Sequence, residues 1–411
     1  MRPRTSIARA WITRIALAGV AAFPALAMAD GLDAAVGKAL FDRIWVQAPS
    51  STLANDGLGP LFNEKSCASC HSGKALSAKL TVQPDGTMAH RGLVTRLGDA
   101  HGVTDPIYGR QIQPRAVAGL ISEGTVTYAL PETSGQPLAA IFAPSRGDLA
   151  PDTRLGPRQA PSLRGIGLIE TVDEAAVLAR AERNKAHPDE IGGRAHFLEV
   201  DGGKALGRYG WKASAATLNQ MTADAFLLDI GMSSPLAPFP YGDCTQAQPD
   251  CLSAPQGRSP TFDNEEISSE MVRLLNAYLK SLSAPKPVEP APPGAALFAS
   301  TGCAACHAPE MPAKGGGTVS IYSDLLLHDM GPGLDDGVGE PGVASFEWRT
   351  APLVSLGFRT GPDRRFLHDG RAGTLDEAIR AHGGEAKAAK TRYEALLAAD
   401  RAALVAYLET L

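Results

Sequence analysis

The chain has 411 residues, a formal net charge of −5 and six cysteines. An acidic balance argues against nucleic acid or an anionic lipid surface as a partner. The length suits two or three domains.

Residues 1–29 read as a secretory signal. Arg2, Arg4, Arg9 and Arg14 give a basic start, Ile15 to Leu26 form an apolar run, and Ala27-Met28-Ala29 form a cleavage site. Twelve apolar residues are too few to span a bilayer, and no later stretch is longer and equally apolar. The expected mature protein begins near Asp30, carries no membrane span and is exported to the periplasm. Loss of the four arginines takes the formal charge from −5 to −9, which fits a basic or patch-charged redox partner.

Residues 61–71 read LFNEKSCASCH, and residues 297–307 read LFASTGCAACH. Each has Leu-Phe, four residues, then Cys-x-x-Cys-His, the pattern of c-type haem attachment. Cysteines three apart lie about one helical turn apart and point the same way. They can add across the two vinyl groups of one haem, and the adjoining histidine meets the iron as proximal ligand. This assigns Cys67, Cys70 and His71 to haem 1, and Cys303, Cys306 and His307 to haem 2. A redox disulfide or half a zinc site explains one such motif, but not two behind the same Leu-Phe in an exported chain. The remaining cysteines, Cys244 and Cys251, bracket a short polar loop. In an oxidising compartment they are expected to pair, adding about 2 kcal/mol in the chain-entropy account.

Residues 283–293, SAPKPVEPAPP, hold five prolines in eleven positions and read as an extended linker. LNAYLKSL (275–282) precedes it and LVAYLETL (404–411) ends the chain. Met271, Leu274, Leu275, Tyr278, Leu279 and Leu282 follow helical spacing, as do Leu404, Tyr407, Leu408 and Leu411. Each half is thus expected to open on a Leu-Phe helix leading into its haem motif and to close on an amphipathic helix. That is the layout of a cytochrome c domain. The expected fold is mainly α: a haem domain over 30–282 and a compact one over 294–411. The first is enlarged by Gly- and Pro-rich insertions at 84–165 and 231–260, read as loops or short strands. APSLRGIGL (160–168) and APLVSLGF (351–358) form a further echo between the halves.

These residues carry a family resemblance. YSDLLLHDMGPGLDDG (322–337), WRTAPLVSLG (348–357), FLHDGRAGTLDEAIRAHGGEA (366–386) and GRYGWKA (207–213) resemble the di-haem oxidoreductase family. DPIYGRQIQ (105–113) and AFLLDIGMSSPL (225–236) fit it as well. Members are described as peroxidases or thiol oxidoreductase-like proteins. The FLHDG…TLDEAI segment is also similar to the C-terminal part of bacterial di-haem cytochrome c peroxidases. The resemblance implies two covalently attached haem c groups, close enough for fast electron exchange, and peroxidase-type chemistry. It implies a small redox protein and hydrogen peroxide as partners. The family often has an Asp/Gly-rich run where this chain reads HPDEIGGR (187–194). A calcium site there needs more carboxylates than Asp189 and Glu190 offer.

Function turns on the second axial position of each iron. A methionine there gives an electron-transfer haem, while an open position admits peroxide. Met330 is the candidate ligand of haem 2, with His328 or no ligand as alternatives. Met271 reads as core, and Met311 lies too close to His307. The segment at 229–231 usually reads Asp-Met-Gly in the family but is Asp229-Ile230-Gly231 here. Haem 1 therefore lacks that methionine, unless Met232 substitutes, and is the candidate reactive iron. Candidate distal histidines are His90, His101, His187 and His196. Peroxide cleavage also calls for an acid–base group, with Glu123, Glu170 and Glu199 as candidates. His368 and His382 read as structural hydrogen-bonders, and Trp211 and Trp348 as core or haem-edge residues. The function expected is that of a peroxidase-like oxidoreductase, with electrons entering at haem 2. The alternative is a di-haem electron carrier.

Overall fold

The computed structural model describes residues 23–132, 135–284, 292–359, 361 and 363–411, with side chains from Gly31 onward. Most of the expected leader (residues 1–22) and most of the Pro-rich segment (285–291) lie outside the described residues. No helix among the described residues is long and apolar enough to cross a membrane.

Two helix crossings frame the molecule. The helix Phe23–Asp42 packs across Ser269–Ser281, and Pro293–Ser300 packs across Ala398–Leu408. The contact chemistry is the same in both. A Cβ added at Gly37 would lie 2.0 Å from the Leu274 carbonyl oxygen, and one at Gly294 would lie 2.2 Å from that of Ala403. Only glycine lets the backbones approach this closely. Four residues on, Phe41 meets Tyr278 edge-on at 5.3 Å, and Phe298 meets Tyr407 at 5.7 Å. The repeated unit is therefore Gly-x-x-Leu-Phe, at 37–41 and 294–298.

This corrects the expected role of Leu61-Phe62. These residues form a short strand paired with Arg115-Ala116 rather than a helix leading into the first haem motif. The matching helix lies upstream, separated from Cys67 by residues 43–66, whose backbone folds as turns, bridges, the 3-10 helix Leu53–Asn55 and that strand.

The expectation of a mainly α fold is also overturned. The protein is 31% helix and 20% strand, a mixed α/β fold with many small antiparallel sheets. Much of the strand lies between the first haem motif and Leu206. Lys79–Val82 pairs with Met88–Arg91, Leu93–Gly98 with Arg154–Gln159, Thr125–Ala129 with Leu138–Phe142, and Phe197–Val200 with Gly203–Leu206. The local cause was present in the sequence. Asp85-Gly86 and Asp201-Gly202 supply the positive φ that tight hairpin turns require, at Gly86 (+82°) and Gly202 (+89°). Leu-Val-Thr-Arg-Leu and Thr-Val-Thr-Tyr are β-branched and aromatic enough for strands.

The larger hydrophobic core joins both halves of the chain. Phe41, Val172, Val177, Leu206, Tyr209 and Leu275 pack in one cluster with Met311, Ile321, Leu325 and Val354. A second core gathers Phe298, Phe366, Leu375, Tyr393, Leu404 and Tyr407.

Candidate haem centres and the junction between them

Cys67-Ala-Ser-Cys70 forms one short helical turn capped by Ser66, whose hydroxyl accepts from the Ser69 amide. Cys303–Ala305 forms a tighter turn entered through Gly302 at φ +92°. Both turns open onto one cavity of about 440 Å³, lined by Cys67, Cys70 and His71 and by Cys303, Cys306 and His307. Protein interiors leave few voids larger than a water molecule, so this space is built for an occupant.

The two histidines are set up alike. His71 Nδ1 lies 3.1 Å from the carbonyl oxygens of Leu76 and Pro161, and His307 Nδ1 lies 3.1 Å from that of Tyr322. A carbonyl only accepts, so Nδ1 carries the proton and Nε2 keeps its lone pair. This is the arrangement usual for an imidazole that ligates a metal. Burial pushes both imidazoles below their ordinary value; with His382 adding to the effect, His307 falls to about 4. Both are thus neutral near pH 7, as ligation requires.

Opposite His307 stands His382. Their ring centroids are 6.4 Å apart, and the His382 Nδ1 is tied to the Ala378 carbonyl at 2.8 Å, leaving Nε2 as the free nitrogen. That separation would leave room for one metal between the rings if each bound it through Nε2 at about 2.0–2.1 Å. Met330 lines the same cavity from the strand side. Glu385 clamps the loop after His382: it accepts from His328 Nδ1 at 2.6 Å and from the Asp329 amide at 3.2 Å.

The first half contains the same local motif without the histidine. Residues 208–218 match 365–375: Tyr209 bridges to Ala215 as Phe366 bridges to Ala372. The hydroxyls of Thr217 and Thr374 then cap the helices Leu218–Ala225 and Leu375–Ala381 by accepting from Gln220 and Glu377 amides. Carried onward at the same spacing, the position of His382 is Ala225, which lines the cavity. Ile230 lines it as well, whereas Met232 is fully buried in the core.

The void fits the haem pair that the motifs imply. Arg96 Nε, Tyr209 Oη and Arg359 Nε line it and are buried without a hydrogen-bond partner. Orphaned donors of this kind are rare in native proteins, and the carboxylates of a haem would satisfy them. Cys67, Cys70 and His71 would hold one group, and Cys303, Cys306, His307 and His382 the other.

Three aromatic side chains also line this cavity: Trp211, Trp348 and His368. Trp348 stacks on His368 at 3.8 Å, and Trp211 meets His368 edge-on at 6.5 Å. The Lys212 ammonium sits 3.6 Å from the Trp348 ring centre and donates to the carbonyls of Ala344, Ser345 and Glu347. Three acceptors match the three N–H bonds of an ammonium.

The remaining candidates from the sequence lie away from the cavity. His90 packs on Tyr128, His101 is exposed, the His187 Nδ1 caps the Asp189 amide, and His196 binds the Ala213 carbonyl. Glu170 pairs with Lys280 at 2.7 Å, and Glu199 pairs with Lys204 on an exposed hairpin. Glu123 is buried and accepts from Gln248 Nε2 and the Gln113 amide, each at 2.6 Å. Burial pushes its carboxyl up to about 8. Gln248 belongs to the loop closed by the Cys244–Cys251 disulfide, whose Cα atoms are 6.5 Å apart. The Asp189 carboxylate is taken by Arg392, which leaves Glu190 to supply the side-chain oxygen for calcium at 187–194. Cys306, Asp324 and His328 bring ligand atoms within 4.8 Å of one another, but His328 is already held between Asp324 and Glu385.

Sequence reasoning missed charged residues of the cavity wall, among them Arg96, Arg158, Glu340 and Arg359. No local pattern marks them. The signal that was available for His382 was the Thr-Leu repeat at 217 and 374.

Neither the curated proteins nor the solved structures contain a match to this chain. The family described as “di-haem oxidoreductase, putative peroxidase” matches residues 145–411, the stretch that holds the second haem motif, His382, Ala225 and the aromatic junction. With that match over more than half its length, the chain belongs to the di-haem oxidoreductase family.

Proposed function

We propose that this protein is a periplasmic c-type di-haem peroxidase in which the two irons have unequal surroundings. One observation carries the reading: His382 faces His307 at 6.4 Å, and the equivalent position in the first half is Ala225. A haem on Cys303 and Cys306 would be held by His307 and His382, which would leave no site for a small ligand. His382 would fill this role in preference to Met330 because its ring spacing suits a shared iron. A haem on Cys67 and Cys70 would be held by His71 and, with Ala225 at the equivalent position, would admit a small oxidant.

Bound there, the haems supply irons that cycle between ferric and ferrous, which is the redox capacity a peroxide reduction needs. The chain supplies the rest. Burial keeps His71 and His307 neutral, and their carbonyl partners fix the tautomer that leaves Nε2 free. Trp211, His368 and Trp348 supply an aromatic cluster on the wall of the shared cavity. Electrons enter at haem 2 from a small one-electron redox protein and leave at haem 1 to hydrogen peroxide. The leader-like N-terminus and the attachment motifs support an exported protein.

The test is spectroscopic and kinetic. The ferric holoprotein should show one high-spin and one low-spin haem, the reduced protein should bind one carbon monoxide, and peroxide should reoxidise both haems. Two low-spin haems that bind no carbon monoxide and react with no peroxide would leave only an electron carrier.

A further inference from the structure

We infer that Glu340, delivered by a loop of the second half, is the acid–base residue for peroxide at haem 1, with Arg96 and Arg158 of the first half as its cationic partners. This rests on the reading of haem 1 as the open iron. Glu340, Arg96, Arg158 and Ser214 line the cavity together with Ala225. Ser214 belongs to the motif that ends in Ala225, and its hydroxyl helps hold the Glu340 carboxyl down.

The loop is held in place from the first half. Arg158 is buried and donates to Asp336 Oδ2 at 3.0 Å, to the Val338 carbonyl at 2.7 Å and to Glu340 Oε1. Arg194 binds the Gly342 carbonyl at 2.7 Å, and Lys212 binds the three carbonyls that follow. Gly339 donates to the Asp99 carbonyl at 2.8 Å, and a Cβ on Gly102 would lie 2.4 Å from the Glu340 carbonyl carbon. Ordering of this kind suits a catalytic carboxylate, because a positioned group costs no reorganisation during the reaction.

Its protonation state suits a base. Burial would raise the Glu340 carboxyl, but the charges of Arg158, Arg96 and Lys212 outweigh burial and hold it below the ordinary glutamate value. The carboxylate accepts the proton of one peroxide oxygen. The O–O bond breaks, and Glu340 returns that proton to the departing oxygen, which leaves as water. The second oxygen takes two electrons, supplied by the one-electron protein donor, and two solvent protons to form the second water. The sum is one peroxide, two electrons and two protons to two waters.

The experiment uses the holoprotein and fluoride, an anion that binds an open ferric haem together with a proton. Glu340→Gln should keep both haems and the high-spin signal. It should bind fluoride at least about 10-fold more weakly, without the wild-type pH dependence, and lose about 10²–10⁴-fold in peroxide turnover. Glu340→Asp should recover part of both. A Glu340→Gln protein that keeps the high-spin haem and matches wild type in fluoride affinity and turnover overturns the assignment. A wild type with no high-spin haem and no fluoride binding overturns the open-iron reading and this one with it. If Glu340→Gln fails to attach haem, Ser214→Ala decides. Loss of that hydroxyl should move the acid limb of kcat/KM to higher pH, and an unmoved limb overturns the role.

Discussion

Trp211 and His368 occupy equivalent positions in the two copies of one local motif, and their rings meet edge to face at 6.5 Å. The repeat therefore brings its own two copies together on the wall of the shared cavity. Trp348 extends the contact by stacking on His368 at 3.8 Å. The Trp348 indole N–H donates to the Leu334 carbonyl at 2.8 Å and the Trp211 N–H to the Gln159 carbonyl at 2.9 Å, so both rings are fixed.

Replacing Trp348 should separate electron transfer from chemistry. In Trp348→Leu, haem 1 should bind carbon monoxide as in wild type, while haem 2 should reoxidise more slowly after peroxide is added. Stopped-flow absorbance at the two Soret bands checks this. Equal reoxidation rates in variant and wild type would mean that the electrons do not need the indole.

The ligand asymmetry should be transferable. His382→Ala should open haem 2, giving a second high-spin signal and a second bound carbon monoxide. Ala225→His should close haem 1 and abolish carbon monoxide binding and peroxide turnover. Carbon monoxide titration of the reduced proteins counts the open irons: two in the first variant and none in the second.

The glycine crossings should be intolerant of a methyl group. Gly37→Ala and Gly294→Ala place a Cβ within 2.0 and 2.2 Å of a carbonyl oxygen, so a helix must move. Each should lose about 1–3 kcal/mol, the usual cost of overpacking. Denaturant melts of the holoprotein measure it, and an unchanged midpoint would show that the crossing yields without cost.

Glu123 should make stability fall with rising pH. Burial pushes its carboxyl from 4.5 to about 8 in the folded protein. Between those values the folded state holds a proton that the unfolded chain has released. The stability from this group is complete below the unfolded value and is lost as pH climbs through about 8. Glu123→Gln keeps a neutral side chain at every pH. Its melting temperature should decline less than that of wild type between pH 5 and 8, and parallel curves would contradict the assignment.

The chain's own spacing revealed the paired Cys-x-x-Cys-His motifs and the closing AYLxxL helices, because these are local and repeated. Leu61-Phe62 misled because a two-residue match is cheap, while the Gly-x-x-Leu-Phe unit that crosses the closing helices lay further upstream. The hairpins at Asp85-Gly86 and Asp201-Gly202 were legible as turns. Their weight was hidden by the helical signal elsewhere. Met330 drew notice through its family motif, whereas His382 becomes visible as a candidate ligand only when the Thr217 and Thr374 helices are compared. Glu340 was out of reach of any sequence pattern, since three cations of the first half place it.

The central claim is that one iron is open and the other closed. Low-temperature EPR of the fully ferric wild-type protein tests it most directly. The account predicts one high-spin and one low-spin signal in equal amounts, with His382→Ala converting the low-spin signal to high-spin. Two low-spin signals in the wild type, or a low-spin signal that survives His382→Ala unchanged, would contradict it.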